Sequence, residues 1–230
     1  MLEEIGINLS IQRHSLSLVG CKMGRVVTLI RLNSGKVLIH STANFGAEDI
    51  SEIRKFGELS WMFEATNFHD TYAQEGRAAF SDIPYFAPSG FKDTESLKCT
   101  SMDSLPEEWE NEIEVIKIEG MPKIQEHVVY HRQSKTLIVA DLLFNIGPEA
   151  GWWTHAFLRA TAGIREYPGM SRLYRLFIKD RSAFAQSMQS ILALDFERIV
   201  VSHGDPIEEN AKDQLRDLLV TYGLDGAIQP

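Results

Sequence analysis

Three short segments carry side chains that bind metals, each placed where a strand would present it. They are WMFEATNFHD around His69, TLIVADLLFN around Asp141 and RIVVSHGDP around His203. In each, an apolar run stops at a His or an Asp. A rigid strand fixes the side chain at its end, and the loop beyond leaves that side chain open to solvent. Histidine and aspartate are common ligands of divalent transition metals. Gly204, beside His203, lets the backbone turn sharply next to a ligand. The chemistry implied is a cation that polarises a carbonyl or phosphoryl oxygen and lowers the pKa of bound water.

The remaining reactive side chains are less suggestive. His127 and His131 alternate along one strand and share a face, which is expected to be solvated. His14 and His40 read as structural. His155 follows Trp152 and Trp153 and is expected near the mouth of the site. The Trp pair reads as a core or rim anchor, with a subunit interface as the alternative. Asp205-Pro206 reads as the cap and first turn of the last helix. Cys21 and Cys99 lie far apart and fit no Cys-x-x-Cys pattern, so a reducing compartment is the simplest reading. No Gly-x-Ser-x-Gly, phosphate-binding glycine loop or nucleotide fingerprint is present.

The elements that must position these residues follow from local pattern. Residues 25–32 (RVVTLIRL) and 37–40 (VLIH), joined by Asn33-Ser34-Gly35-Lys36, read as a hairpin. A helix is expected over 47–56, a buried strand over 59–65, a helix over 72–80 and a strand over 83–87. Residues 88–112 are rich in Ser, Asp, Glu and Lys and read as a surface excursion. Strands are expected at 113–118, 126–131 and 136–140, the last ending at Asp141. Asp180 is expected to cap a helix running to about Leu194, with Phe184, Met188, Ile191 and Leu192 at helical spacing. A strand over 198–202 leads into His203, and a closing helix runs to about Tyr222. Strands first, with helices between and after them, predict an α/β (α+β) fold of sheets packed face to face with helices outside.

Bulk properties set the frame. The 230 residues, 44% of them apolar, are expected to form a single domain spanning 1–230. The net charge of −9 disfavours a phosphate-backbone partner, so no nucleic acid is expected. MLEEIGINLSIQRH lacks a basic segment followed by an apolar stretch, and no run approaches the length of a membrane span. A cytoplasmic protein with no membrane association is the expectation.

The order of the three segments resembles that of the metallo-β-lactamase superfamily, over roughly Val26 to Asp205. In that family a strand enters a Thr-His-x-His-x-Asp-His motif. A Gly-His-Thr segment follows, then a strand ending in Asp and a strand ending in a last His followed by Gly. The resemblance implies a four-layer αββα sandwich with the site along one sheet edge. Here residues 66–72 read Thr66-Asn67-Phe68-His69-Asp70-Thr71-Tyr72, so only the second His remains, as His69. The Gly-His-Thr position falls at Gly120-Met121-Pro122. Of seven ligand positions His69, Asp141 and His203 survive, the pattern of a degenerate branch of uncharacterised bacterial proteins of this fold. The resemblance makes these three the metal ligands, Asp141 and His203 the catalytic pair, and Asn67, Thr71 and Tyr72 pocket-lining. In the family geometry His69 would serve one ion and His203 another, with Asp141 bridging, so one ion between all three requires a shift of the site.

Two readings stay open at this level. One is a hydrolase acting on a small molecule, with at most one Zn, Fe or Mn ion. The other is a non-catalytic binding or scaffold protein, monomeric or oligomeric, that kept the fold and lost the metal. A nuclease is the least favoured, given the acidic balance.

Overall fold

The computed structural model of the chain describes residues 1–225. Its first sheet is built from the β-branched and apolar runs of the N-terminal half. Strands β1 (Leu2–Gly6) and β2 (Leu9–His14) form an antiparallel pair at one edge, while β3 (Ser17–Leu18) and β4 (Cys21–Lys22) make a separate small hairpin. Then come β5 (Arg25–Arg31), β6 (Lys36–His40), helix α1 (Ala47–Phe56), β7 (Glu58–Phe63), α2 (Ala73–Ala79), β8 (Tyr85–Ala87), α3 (Thr94–Leu97) and β9 (Cys99–Ser101). The seven large-sheet strands lie in the order β1-β2-β5-β6-β7-β8-β9, antiparallel as far as β6 and parallel beyond it. The expected hairpin is β5–β6, closed through Gly35 at φ +88°.

The second sheet follows. It contains β10 (Ile113–Lys117), β11 (His127–His131), β12 (Thr136–Val139) and β13 (Arg198–Val201), in that order. Only the β12–β13 pair is parallel, and its crossover contains α4 (Gly151–Thr161), α5 (Arg172–Leu176) and α6 (Arg181–Ala193). Helix α7 (Ala211–Thr221) closes the described chain. Asp180 caps α6 as expected, its carboxylate accepting from the Ser182 and Ala183 amides at 3.0 Å.

Side-chain alternation produces four layers, αββα. Between the sheets lie Leu9, Ile11, Val26, Leu38, Trp61 and Phe63 from one side and Val129, Ile138 and Val200 from the other. The outer face of the first sheet packs Val27, Ile39, Met62 and Tyr85 against Ile53 of α1 and Phe80 beside α2. The outer face of the second packs Val128, Val139 and Ile199 against Phe184 and Met188 of α6 and Leu215 and Leu219 of α7. Three apolar layers of this kind drive the sheets together by removing hydrocarbon from water.

Several expectations need correction. The 88–112 stretch is more than a surface excursion: β9 extends the first sheet, and Trp109 is buried between the sheets against Trp61, Phe63 and Phe86. His127 and His131 are not solvated. Both are buried, because β11 is an inner strand of its sheet and the first sheet covers that face. Their Nδ1 atoms are satisfied locally, by Gln125 O at 2.9 Å and Ser134 Oγ at 2.7 Å. Asp205-Pro206 does not start the last helix, which begins at Ala211 after Asn210. Asp205 instead pairs with Arg13 at 2.8 Å, and Ile207 bridges back to Ile199. Strands β1 and β2 add to the expected elements, and Leu9-Ser10-Ile11-Gln12 alternates with period two: Leu9 and Ile11 enter the inter-sheet layer and Gln12 reaches Glu52 on α1.

Candidate metal centre

The three strand-end residues meet at one edge of the sandwich. His69 Nε2 lies 3.4 Å and His203 Nε2 3.6 Å from the same Asp141 oxygen, and the three candidate ligand atoms all fall within 4.8 Å of one another. Ligands about 2.1 Å from a tetrahedral ion sit roughly 3.4 Å apart, so the two histidine–aspartate separations are compatible with ligands of one ion. In the family geometry His69 and His203 would serve different ions; here both Nε2 atoms lie beside one Asp141 oxygen.

Each ligand is positioned differently. His203 lies two residues past β13 and stacks on Phe144, with ring centroids 5.1 Å apart and planes 9° apart. Its Nδ1 donates to Gly24 O at 2.8 Å, which leaves the Nε2 lone pair directed at the site. Gly204 follows at φ +107°, where a Cβ would lie 1.9 Å from Asn145 O. That close approach zips the loop after β13 to the loop after β12: Asn145 N donates to His203 O and Asp205 N to Asn145 O.

Asp141 follows β12, and its loop is held by a buried carboxylate. Glu126 accepts from the amides of Ala140 (2.9 Å), Asp141 (3.2 Å) and Leu142 (3.2 Å). Burial and the neighbouring Asp141 charge push the Glu126 carboxyl up to about 8, against the pull of those amides. For Asp141, burial acts upward, but the imidazoles of His69 and His203 outweigh it and hold the carboxyl well below the usual range. Asp141 is thus ionised.

His69 sits on the loop after β7. That loop is fixed from below, with Thr66 Oγ1 and the Asn67 amide N both bonded to Ile124 O. The His69 ring is buried, and neither ring nitrogen has a hydrogen-bond partner. Nδ1 lies 3.8 Å from Glu64 Oε2, itself buried and unpartnered. Burial first, then the nearby Arg25 charge, lower the His69 pKa to about 4, so the ring is neutral and able to donate a lone pair. An unpartnered buried imidazole beside a low-pKa carboxylate fits a cation: it would satisfy the orphaned Nε2 and the Asp141 charge together.

A cavity of about 330 Å³ opens over the triad, lined by Leu16, Leu18, Met23, Phe68, Phe144 and Leu173 with Arg25, Thr71, Ser171 and Tyr174. Thr71 is in that lining. Asn67 and Tyr72 are not: the Asn67 amide turns to Ser89 O and Lys123 O, and Tyr72 Oη donates to Ser15 O. Met121 lies in the core beneath α6. His155 faces Gly147 O and Tyr167 rather than the cavity. Trp153 Nε1 donates to Val19 O and so ties down the β3–β4 hairpin, while Trp152 is 78% exposed. Cys21 and Cys99 are free thiols, and burial raises both pKa values, so neither is a ready nucleophile.

Sequence reasoning missed Glu64, Glu126, Arg25 and the depth of His40. Burial drives the His40 pKa to about 3, and its ring stacks on Phe63 with both nitrogens unpartnered. The available signal was a lone charge inside an apolar run, as in WMFEA or GRVV, because a charge there must have a reason.

No family model and no curated protein matches the chain. Solved structures do. TMB-1 superposes with a TM-score of 0.65 at 15% identity over 97% of this chain and 98% of that one. The metallo-β-lactamase DIM-1, in a crystal exposed to ceftazidime, gives 0.64 at 16% over 96% and 97%. A metallo-β-lactamase from Pontibacter korlensis gives 0.62 at 14% over 96% and 98%. The chain has the metallo-β-lactamase fold. No helix among the described residues is long and apolar enough to cross a membrane.

Proposed function

We propose that the protein is a metal-dependent hydrolase of a small molecule, with a single ion held by His69, Asp141 and His203. The observation that carries this reading is the convergence of two imidazole Nε2 atoms and one carboxylate oxygen at the floor of a cavity. Three protein ligands with a fourth position open to substrate is the usual arrangement of a catalytic zinc, and iron or manganese fit the same donors less closely. A bound divalent ion would supply an activated water and polarise a substrate carbonyl or phosphoryl oxygen.

The chain's own residues do the rest. The hydrogen bond to Gly24 O keeps His203 in the tautomer whose Nε2 accepts. Glu126 orients Asp141 through its backbone. The apolar walls exclude water from the reacting group, and the Thr71 and Ser171 side chains line the same space for hydrogen bonding to substrate. Burial holds the Tyr174 phenol well above its usual pKa, so it stays protonated.

A second reading, a scaffold that has lost its metal, is favoured by one observation: Asn67 and Met121 are committed to loop anchoring and core packing. Zinc titration of protein purified without chelator separates the two. About one equivalent is expected, lost in Asp141→Ala with the fold retained. Less than a tenth of an equivalent of any transition metal, with no uptake of Zn, Fe or Mn, rejects the hydrolase.

A further inference from the structure

Arg25 opens β5 and is 1% exposed, yet it lines the cavity above the triad. It is the one Lys or Arg in that lining. A second cavity of about 440 Å³ lies alongside, and the two share Leu16, Ser17, Met23 and Arg25. Arg25 therefore stands in the wall between them. Its Nη1 donates to Ser41 Oγ at 3.2 Å, while its Nε is buried with no partner.

A buried guanidinium normally has a carboxylate against it, because desolvating an unpaired charge is costly. Among the described residues none comes within 4 Å of Arg25. Glu64 belongs to the same buried cluster, but Thr42 Oγ1 donates to its Oε1 at 2.5 Å and its Oε2 faces His69 at 3.8 Å. Arg13, in the second cavity, makes a contrast: it is exposed and already paired with Glu3 and Asp205.

The cavity thus offers one buried cation with no carboxylate within 4 Å, set in largely apolar walls across from the Asp141 carboxylate. We infer that Arg25 is the specificity-determining residue of this site, and that its substrate carries a carboxylate on an apolar chain. The inference rests on the hydrolase reading for the word substrate, and on Arg25 alone for the anion. A fixed, planar, five-donor guanidinium suits a carboxylate, and a dry surround strengthens the pairing.

Hexanoate and hexanamide test this, being alike in size and differing in charge. The test uses metal-free protein, so that no bound ion can attract the carboxylate, and the Asp141 charge, which opposes hexanoate, acts alike in wild type and in the Arg25 variants. Calorimetry is expected to give wild-type protein about tenfold tighter binding of hexanoate, in line with a charge-assisted hydrogen bond. In Arg25→Met the preference disappears, and Arg25→Lys keeps part of it. The Arg25 Nε–Hε NMR signal, identified by its absence in Arg25→Lys, shifts with hexanoate and not with hexanamide. Equal affinity of the two probes for wild-type protein, failure of both to bind, or a preference that survives Arg25→Met overturns the inference. The wild-type comparison and the NMR shift hold even if Arg25→Met does not fold. A parallel zinc titration keeps the two proposals apart. A charge preference without zinc uptake leaves Arg25 standing and removes the hydrolase, whereas zinc uptake with equal probe affinities does the reverse.

Discussion

The two sheets bring unequal halves to the candidate centre. On the second sheet's side the polar groups that position the ligands are satisfied. Glu126 takes three amides, His203 Nδ1 has Gly24 O, and Gly204 allows the loops after β12 and β13 to bond to each other. On the first sheet's side, Arg25 Nε, both His40 nitrogens, Glu64 Oε2 and both His69 nitrogens are buried without partners. In the first half hydrogen bonds to Ile124 O hold the loop but only burial places the His69 ring, whereas in the second the His203 ring is itself hydrogen-bonded. Two of these groups, His69 Nε2 and Arg25 Nε, belong to residues that line the cavity, where an ion and an anion would satisfy them.

The largest effect on this contrast is expected from Glu126→Ala. It strands three buried amides, and should cost about 3–5 kcal/mol in urea unfolding and remove zinc uptake. Glu126→Gln, which keeps an acceptor, should cost less than half as much. Next is Gly204→Ala, where both the positive φ and the 1.9 Å approach to Asn145 O oppose a side chain. A loss of about 2–3 kcal/mol is expected, with at least tenfold weaker zinc binding as His203 shifts. If either change leaves zinc affinity intact, the second half is not what positions the site.

Acid should loosen both halves, through His40 in the first sheet and through His131, lowered to about 4 by burial, in the second. His40 is buried neutral, its pKa lowered from 6.5 to about 3. The unfolded chain therefore takes up the proton first, and stability is lost as pH falls from about 6.5 toward 3. Between pH 7 and 5 this amounts to about 2 kcal/mol. Urea midpoints of His40→Leu should lack that part of the fall, and equal pH dependence in the variant contradicts it. The smallest effect is expected from Asn67→His, which restores the family's first His. The Asn67 amide anchors Ser89 O and Lys123 O, so about 1 kcal/mol is lost and zinc stoichiometry stays at one. A rise to two equivalents would show that the first half still holds a latent second site.

The elements that carry the ligands were legible because their signals are local. A β-branched run ending in Asp141 or His203, or Asp180 before Phe184, Met188 and Ile191, states its conformation within a few residues. The failures share a cause. Burial of His127 and His131, the place of Trp109 between the sheets, and the true start of α7 depend on what another segment brings to lie alongside, which no local period encodes. The site divides the same way. The sequence by itself determined which side chains end strands, and so that His69, Asp141 and His203 could be ligands. Only the tertiary structure decided that they point at one centre and that Arg25 stands unpaired beside them. These residues lie far apart along the chain, and their separations follow from how two sheets pack and which loops Glu126 and Gly204 hold together.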